Sequence, residues 1–212
     1  MADAKALIQA VEQADSKTAL VVAVRRLSAI RDPTIVPVLI QVLGYNNPGA
    51  AVAAVEGLTA IGDPAVPALL EQLDGYNYGA RAWAIRAVSG IAHPDGLATL
   101  LDAVQADFAL SVRRAAAYGL GKLRWQLLPP DQREAAQQQS AEALLGALND
   151  GEWIVRYAAI VGLQSLTTAI SCDWRSQVLA KLQAAIANDD AMAVRARAAM
   201  AIEELTEYLE GN

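Results

Sequence analysis

The chain has 212 residues, 54% of them apolar and 5% aromatic, and a net charge of −6. That acidic balance excludes a nucleic-acid module built on a basic face, including the strongly basic helical-repeat glycosylases. Its apolar runs, such as Ala19–Val24, fall far short of the ~20 residues that cross a bilayer, and a lone cysteine, Cys172, forms no internal disulfide and suits a reducing compartment.

Residues 1–15 read as a lead-in helix with Leu7, Ile8 and Val11 as its apolar residues, and they lack the basic and apolar segments of a secretion signal. From Lys17 a repeat begins. An alanine recurs in one register at Ala23, Ala54, Ala84, Ala116, Ala159 and Ala198, spaced by 31, 30, 32, 43 and 39 residues. Four residues after each stands Leu27, Leu58, Val88, Leu120, Leu163 or Ile202. Three further on stands Ile30, Ile61, Ile91, Leu123, Leu166 or Leu205. Spacings of this size belong to arrays of two-helix units, so the expected fold is all-α: a HEAT-like alpha-solenoid, or αα-superhelix, of five to six repeats in one domain, 1–212.

The regular repeats span 17–104. Each has a helix A, a turn at Asp32-Pro33, Asp63-Pro64 or His93-Pro94, and a helix B carrying Leu39-Ile40, Leu69-Leu70 or Leu100-Leu101. Aspartate suits the N-cap, where its carboxylate accepts from free first-turn amides, and proline suits the next position, whose N–H would lack a partner. His93 reads as a cap substitute. Helix A of the fourth repeat is expected at Val112–Leu123. The pair Leu144-Leu145 marks the next helix B, and Trp153 opens the fifth repeat. Two irregular insertions are expected, at 124–140 with Pro129-Pro130 and Gln137–Gln139, where helix resumes in part after the prolines, and at 167–176 with Cys172 and Trp174. Cys172 reads as a buried structural residue. A last helix over 191–209, acidic at Glu203, Glu204, Glu207 and Glu210, has the polar outer face of a terminal cap.

Val-Arg recurs near helix A starts at Val112-Arg113, Val155-Arg156 and Val194-Arg195, with Ala80-Arg81 in the same register. These arginines are expected to tie neighbouring units through a carboxylate or a carbonyl. Tyr118 and Tyr157, on later A helices, read as packing residues.

The third repeat opens differently. Asp74-Gly75-Tyr76-Asn77-Tyr78-Gly79-Ala80-Arg81-Ala82-Trp83-Ala84-Ile85-Arg86 places two tyrosines, a tryptophan and two arginines within eleven residues. Trp83 and Arg86, three apart, neighbour each other on a helix, with Arg81 on an adjacent flank. Rings for stacking and guanidiniums for bidentate contacts suit a flat, conjugated dianion, and they equally suit a protein interface. One histidine and one cysteine build neither a Ser-His-Asp nor a Cys-His set.

The segment Tyr76–Val88, with its Tyr-Asn-Tyr-Gly-Ala-Arg-Ala-Trp-Ala run, and the Asp-Pro units around it resemble the smaller, F-type subunits of heterodimeric phycobilin lyases, whose repeats are HEAT-like. The resemblance implies a larger E-type subunit as partner. It implies joint attachment of phycocyanobilin, a substrate and not a cofactor, to a cysteine of the phycocyanin alpha subunit through a thioether. Neither a metal nor a nucleic acid is expected, and the place of action is the cytosol beside the phycobilisome. Related subunits that also isomerise the bilin carry Asn-His-Cys where this chain has Asn77-Tyr78-Gly79, so attachment without isomerisation is expected. Given that family, Arg81 and Arg86 are expected to contact propionates, Tyr76, Tyr78 and Trp83 to stack on the bilin, and Asp74 to be the candidate carboxylate near the pyrrole N–H groups. A non-catalytic scaffold of phycobilisome assembly or turnover, and a lyase subunit for another phycobiliprotein, are the competing readings.

Overall fold

A computed structural model describes residues 4–73, 78–170 and 172–210 and divides into two compact units, the first ending at His93 and the second beginning at Pro94. The described residues form helices and no strand, as alanine- and leucine-rich segments favour.

The first unit contains α1 (Ala4–Glu12), α2 (Lys17–Ser28), α3 (Val36–Leu43), α4 (Pro48–Ile61), α5 (Val66–Leu73) and α6 (Tyr78–Ile91). Helices α2, α4 and α6 pack side by side, with α3 against α4 and α5 against α6. Ala54, Ala84, Leu27, Leu58 and Val88, all from the repeating register, are buried in that layer. Ser16 caps α2 by accepting from the Ala19 amide at 3.1 Å. Asn47 caps α4 by accepting from Ala50 at 3.2 Å, and its amide donates to the Lys17 carbonyl at 3.0 Å, which joins α4 to the start of α2.

The Asp-Pro turns begin as single 3-10 turns, Pro33–Ile35 and Asp63–Ala65, and only then widen into α3 and α5. Asp32 accepts from the Thr34 amide at 2.8 Å, and that bond holds its carboxyl below the usual range. The residue before each turn has positive φ: Arg31 at 52°, Gly62 at 79° and Ala92 at 59°. Helix A therefore ends each time in a left-handed residue, and only the second unit of the repeat uses glycine there.

The second unit contains α7 (Leu97–Ala106), α8 (Leu110–Leu120), α9 (Pro130–Ala147), α10 (Trp153–Thr167), α11 (Cys172–Asn188) and α12 (Met192–Glu210). Here α8, α10 and α12 form the row, with α7 on α8 and α9, and α11 on α12. The row is tight at α8 and α10: a β-carbon on Gly121 would stand 2.1 Å from the Gly162 carbonyl oxygen, and one on Gly162 would stand 2.4 Å from the Ala117 oxygen.

The expected insertions are shorter than the sequence suggested. Pro130 starts an 18-residue helix that absorbs the glutamine run, because Ala136, Gln137, Ser140, Ala141 and Leu144 share its buried side. The irregular part reduces to Gly121–Pro129, with a 3-10 turn at Trp125–Leu127 pinned by Arg133, which donates to the carbonyls of Trp125 (3.0 Å) and Leu128 (3.2 Å). In the second insertion the described residues outside helix are 168–170, and Cys172 already opens α11. Helix A of the fourth repeat is displaced two to three residues towards the N-terminus, to Leu110–Leu120.

The Val-Arg positions form a ladder in the second unit. Arg113 makes a bidentate pair with Asp150, at 2.7 and 3.0 Å, and donates to the carbonyls of Asp107 and Phe108. Arg156 does the same with Asp189, at 2.8 Å twice, and with the carbonyl of Asp150 at 2.9 Å; it also pairs with Asp190. Arg195 donates to the carbonyls of Asp189 (2.8 Å) and Asp190 (3.1 Å). Each aspartate thus serves two arginines, one through its carboxylate and one through its backbone. The expected ties are present, and both acceptor types are used.

Candidate functional site

The aromatic and cationic cluster starts α6. Ala84, Ile85, Ala87 and Val88 are buried, which turns Trp83 half out and Arg86 fully out. The Arg86 guanidinium lies over the Trp83 ring, 5.7 Å from its centroid, a cation–π distance. Arg81 is half-buried, and its Nη1 donates to the Leu73 carbonyl at 3.0 Å, closing the end of α5. Arg133 and Arg175 reach back eight residues in the same way, to Trp125 and Thr167. Arg81 therefore ties the start of α6 to the end of α5. Asp74 and Tyr76 lie outside the described residues, as does the side chain of Tyr78, whose backbone opens α6. The side chain of Cys172 lies outside them too.

A second group of chemically capable residues stands on the row of α8, α10 and α12. Tyr118 and Tyr157 are half-buried, as are Arg114 and Gln164. Burial pushes the Tyr118 phenol up, aided by Tyr157 and opposed by Arg114 and Arg197. Arg197 is buried. Sequence reasoning passed over it, although a signal existed. One residue before the repeating alanine stand Val22, Ala53, Trp83, Ala115, Ala158 and Arg197. Trp83 and Arg197 are the two departures from a small apolar side chain at that position.

The first residues of the second unit's A helices form another series: Leu110, Trp153 and Met192 are exposed at 42%, 47% and 75%, and Phe108 nearby at 74%. Apolar side chains left in water at equivalent repeat positions are typical of a surface that meets another molecule.

The HEAT repeats family matches residues 4–88 and 66–135. A phycocyanobilin lyase subunit beta from Pseudanabaena tenuis is 50% identical over 208 residues, covering 96% of this chain and 74% of that protein. The chain belongs to the phycocyanobilin lyase beta subunits. Another relative of this lyase subunit, the phycocyanin alpha phycocyanobilin lyase CpcF of a Synechocystis species, is 50% identical over 160 residues, covering 76% of this chain and 75% of that one. The solved complex of CpcE and CpcF of phycocyanin lyase from a Nostoc species contains a chain that matches this lyase subunit with a TM-score of 0.76 and 48% identity, over 80% of this chain and 99% of that chain. No single helix among the described residues is long and apolar enough to cross a membrane.

Proposed function

We propose that the chain is the smaller subunit of a heterodimeric lyase that, with an E-type partner, joins phycocyanobilin to a cysteine of the phycocyanin alpha subunit, and that it works in the cytosol beside the phycobilisome. The observation that carries this reading is the 50% identity to a phycocyanobilin lyase beta subunit along 96% of the chain.

The chemistry is an addition. The acceptor thiol sulfur bonds to the exocyclic carbon of the A-ring ethylidene, the double-bond electrons move to the ring carbon, and that carbon takes up a proton. No leaving group and no redox partner is needed, and the nucleophile belongs to the acceptor. The lyase's task is to hold one conformer and one face of a reactive bilin until the thiol arrives, which is catalysis by positioning. Trp83 offers a flat apolar face and Arg86 a mobile cation beside it, a pair suited to a conjugated dianion. Asp74, Tyr76, Tyr78 and Arg81 complete the proposed site, Asp74 as the carboxylate near the pyrrole N–H groups. The bilin is the substrate, and no resident cofactor is proposed.

The test is co-expression of this chain with an E-type subunit, the bilin-forming enzymes and the phycocyanin alpha subunit. Covalent, coloured acceptor that disappears when this chain is omitted supports the reading. An adduct with the absorption of a saturated C4–C5 bond contradicts attachment without isomerisation.

A further inference from the structure

Arg197, on α12, is nine-tenths buried, at 9% exposure. Its Nη2 donates to the side-chain oxygen of Gln164 on α10, and Gln164 in turn donates to the Glu204 carboxylate. Its Nη1 is buried and meets no acceptor. Among the described residues no carboxylate pairs directly with Arg197. Arg114, half-buried on α8, likewise has no hydrogen-bond acceptor among them. The same three helices satisfy Arg113, Arg156 and Arg195 with carboxylates or carbonyls. Two arginines left out of that scheme are therefore exceptional, and a buried guanidinium held by a neutral amide is an unbalanced charge until an anion reaches it.

Tyr118 and Tyr157 stand on the same packed row, and both guanidiniums act on the Tyr118 hydroxyl. Burial keeps that phenol protonated, so it is a donor. One turn along α10 and α12 the neighbours are apolar: Val161 beyond Tyr157, and the exposed Met200 beyond Arg197. A carboxylate attached to a flat, largely apolar body matches this mixture better than a free inorganic anion does. Glu204, at the far end of the Gln164 relay, repels a second negative group and limits the site to one.

Resting on the lyase reading, we propose that Arg114, Tyr118, Tyr157 and Arg197 form a carboxylate site for one propionate of the bilin. Arg197 supplies its unpartnered Nη1, Arg114 a second donor, and the tyrosines a hydroxyl and ring faces beside the tetrapyrrole.

The purified complex with the E-type subunit is titrated with phycocyanobilin and with its dimethyl ester, followed by visible absorbance. The wild type is expected to bind the free acid at least about tenfold more tightly, the worth of a charge-assisted contact. Arg197→Gln and Arg114→Gln are each expected to reduce that preference several-fold and leave the ester's affinity unchanged. Arg197→Gln removes an unbalanced buried charge, so its melting temperature should not fall, whereas a purely structural arginine would leave a less stable variant. Equal binding of acid and ester by the wild type overturns the proposal and leaves the lyase reading intact. So does an undiminished preference in both variants. Weakened association with the E-type subunit at unchanged preference overturns it as well, assigning the arginines to acidic side chains of the partner. A wild-type complex that binds no bilin at all removes the lyase reading on which the proposal stands.

Discussion

Arg113 and Asp150, 37 positions apart in the chain, meet in a two-pronged ion pair at 2.7 and 3.0 Å with side chains only 17% and 10% exposed. Removing one partner strands the other in a poorly hydrated place. Asp150→Asn is expected to lower the stability of the second unit by about 3 kcal/mol, and Arg113→Leu by a similar amount. The double variant should lose less than the sum, because neither stranded charge remains. Urea melts of the four proteins give the coupling directly.

The same pairs set an acid limit. Burial pushes Asp150 up, but its bonds from Arg113 and the Glu152 amide outweigh that and hold it below the usual range. The Arg156 bond holds Asp189 down despite burial. A carboxyl whose folded pKa is depressed takes up protons more readily once unfolded, where it titrates near ~3.9. Its stabilisation is complete above that value and is lost as pH falls through the folded one. Melting temperature should therefore be flat above about pH 5 and fall below about pH 4, and Asp189→Asn should make the decline shallower. Thermal scans across pH 2.5 to 7 test this.

Close backbone approach yields a contrast between glycines. Gly162→Ala would drive a β-carbon against the Ala117 carbonyl at 2.4 Å, and backbone cannot rotate away. A loss of about 3 kcal/mol is expected, seen as a lower denaturation midpoint. Gly90→Ala meets side-chain atoms of Thr59, the hydroxyl at 2.7 Å and the γ-methyl at 3.2 Å, which yield more readily than backbone, and alanine favours the helix. Its midpoint should move by less than about 1 kcal/mol. Equal effects at the two sites would contradict the packing described for α8 and α10.

The residues before the Asp-Pro turns offer a backbone test. Gly62, at φ 79° and ψ −140°, occupies a region nearly closed to other residues, so Gly62→Ala should cost about 1–3 kcal/mol even though open space surrounds it. Ala92→Gly relieves left-handed strain at φ 59° and should gain about 0.5 kcal/mol after the added chain entropy of glycine. Calorimetry of the two variants should give shifts of opposite sign.

At the start of α6, the two arginines should separate. Arg86→Ala removes an exposed cation stacked on Trp83, and is expected to weaken bilin binding about tenfold at unchanged melting temperature. Arg81→Ala also releases the Leu73 carbonyl and should lower the melting temperature as well. Absorbance titration and melting of the complex distinguish them.

The helical repeat was plain in the sequence because alanine and leucine recur in register, and burial of Ala54, Ala84, Ala116, Ala159 and Ala198 follows that register. The helix around Gln137–Gln139 was legible only in part, since its buried side is lined largely by alanine, glutamine and serine and gives almost no apolar contrast. Trp83 and Arg86 were legible as neighbours because three residues span most of a helical turn. Which acid or carbonyl each arginine takes was not, because Asp150 and Asp189 lie one unit further along the chain and only packing brings them back. Arg197 was legible only as a departure from the small apolar residues at its repeat position; its missing acceptor is a property of the packed row.

The ladder also has a direction in time. In this ladder each arginine with a carboxylate partner leaves the ribosome before that partner, Arg113 by 37 residues and Arg156 by 33. No rung closes until the helix after its arginine has been made, and Arg195, last of the series, rests on carbonyls of the loop just before it. Newly made repeats of the second unit must therefore wait, partly open, for their C-terminal neighbour, and a chain cut short after α10 would leave Arg156 without its acid while Arg113 kept its own. Synthesis and locking therefore run in the same direction, each rung closing a helix behind its arginine.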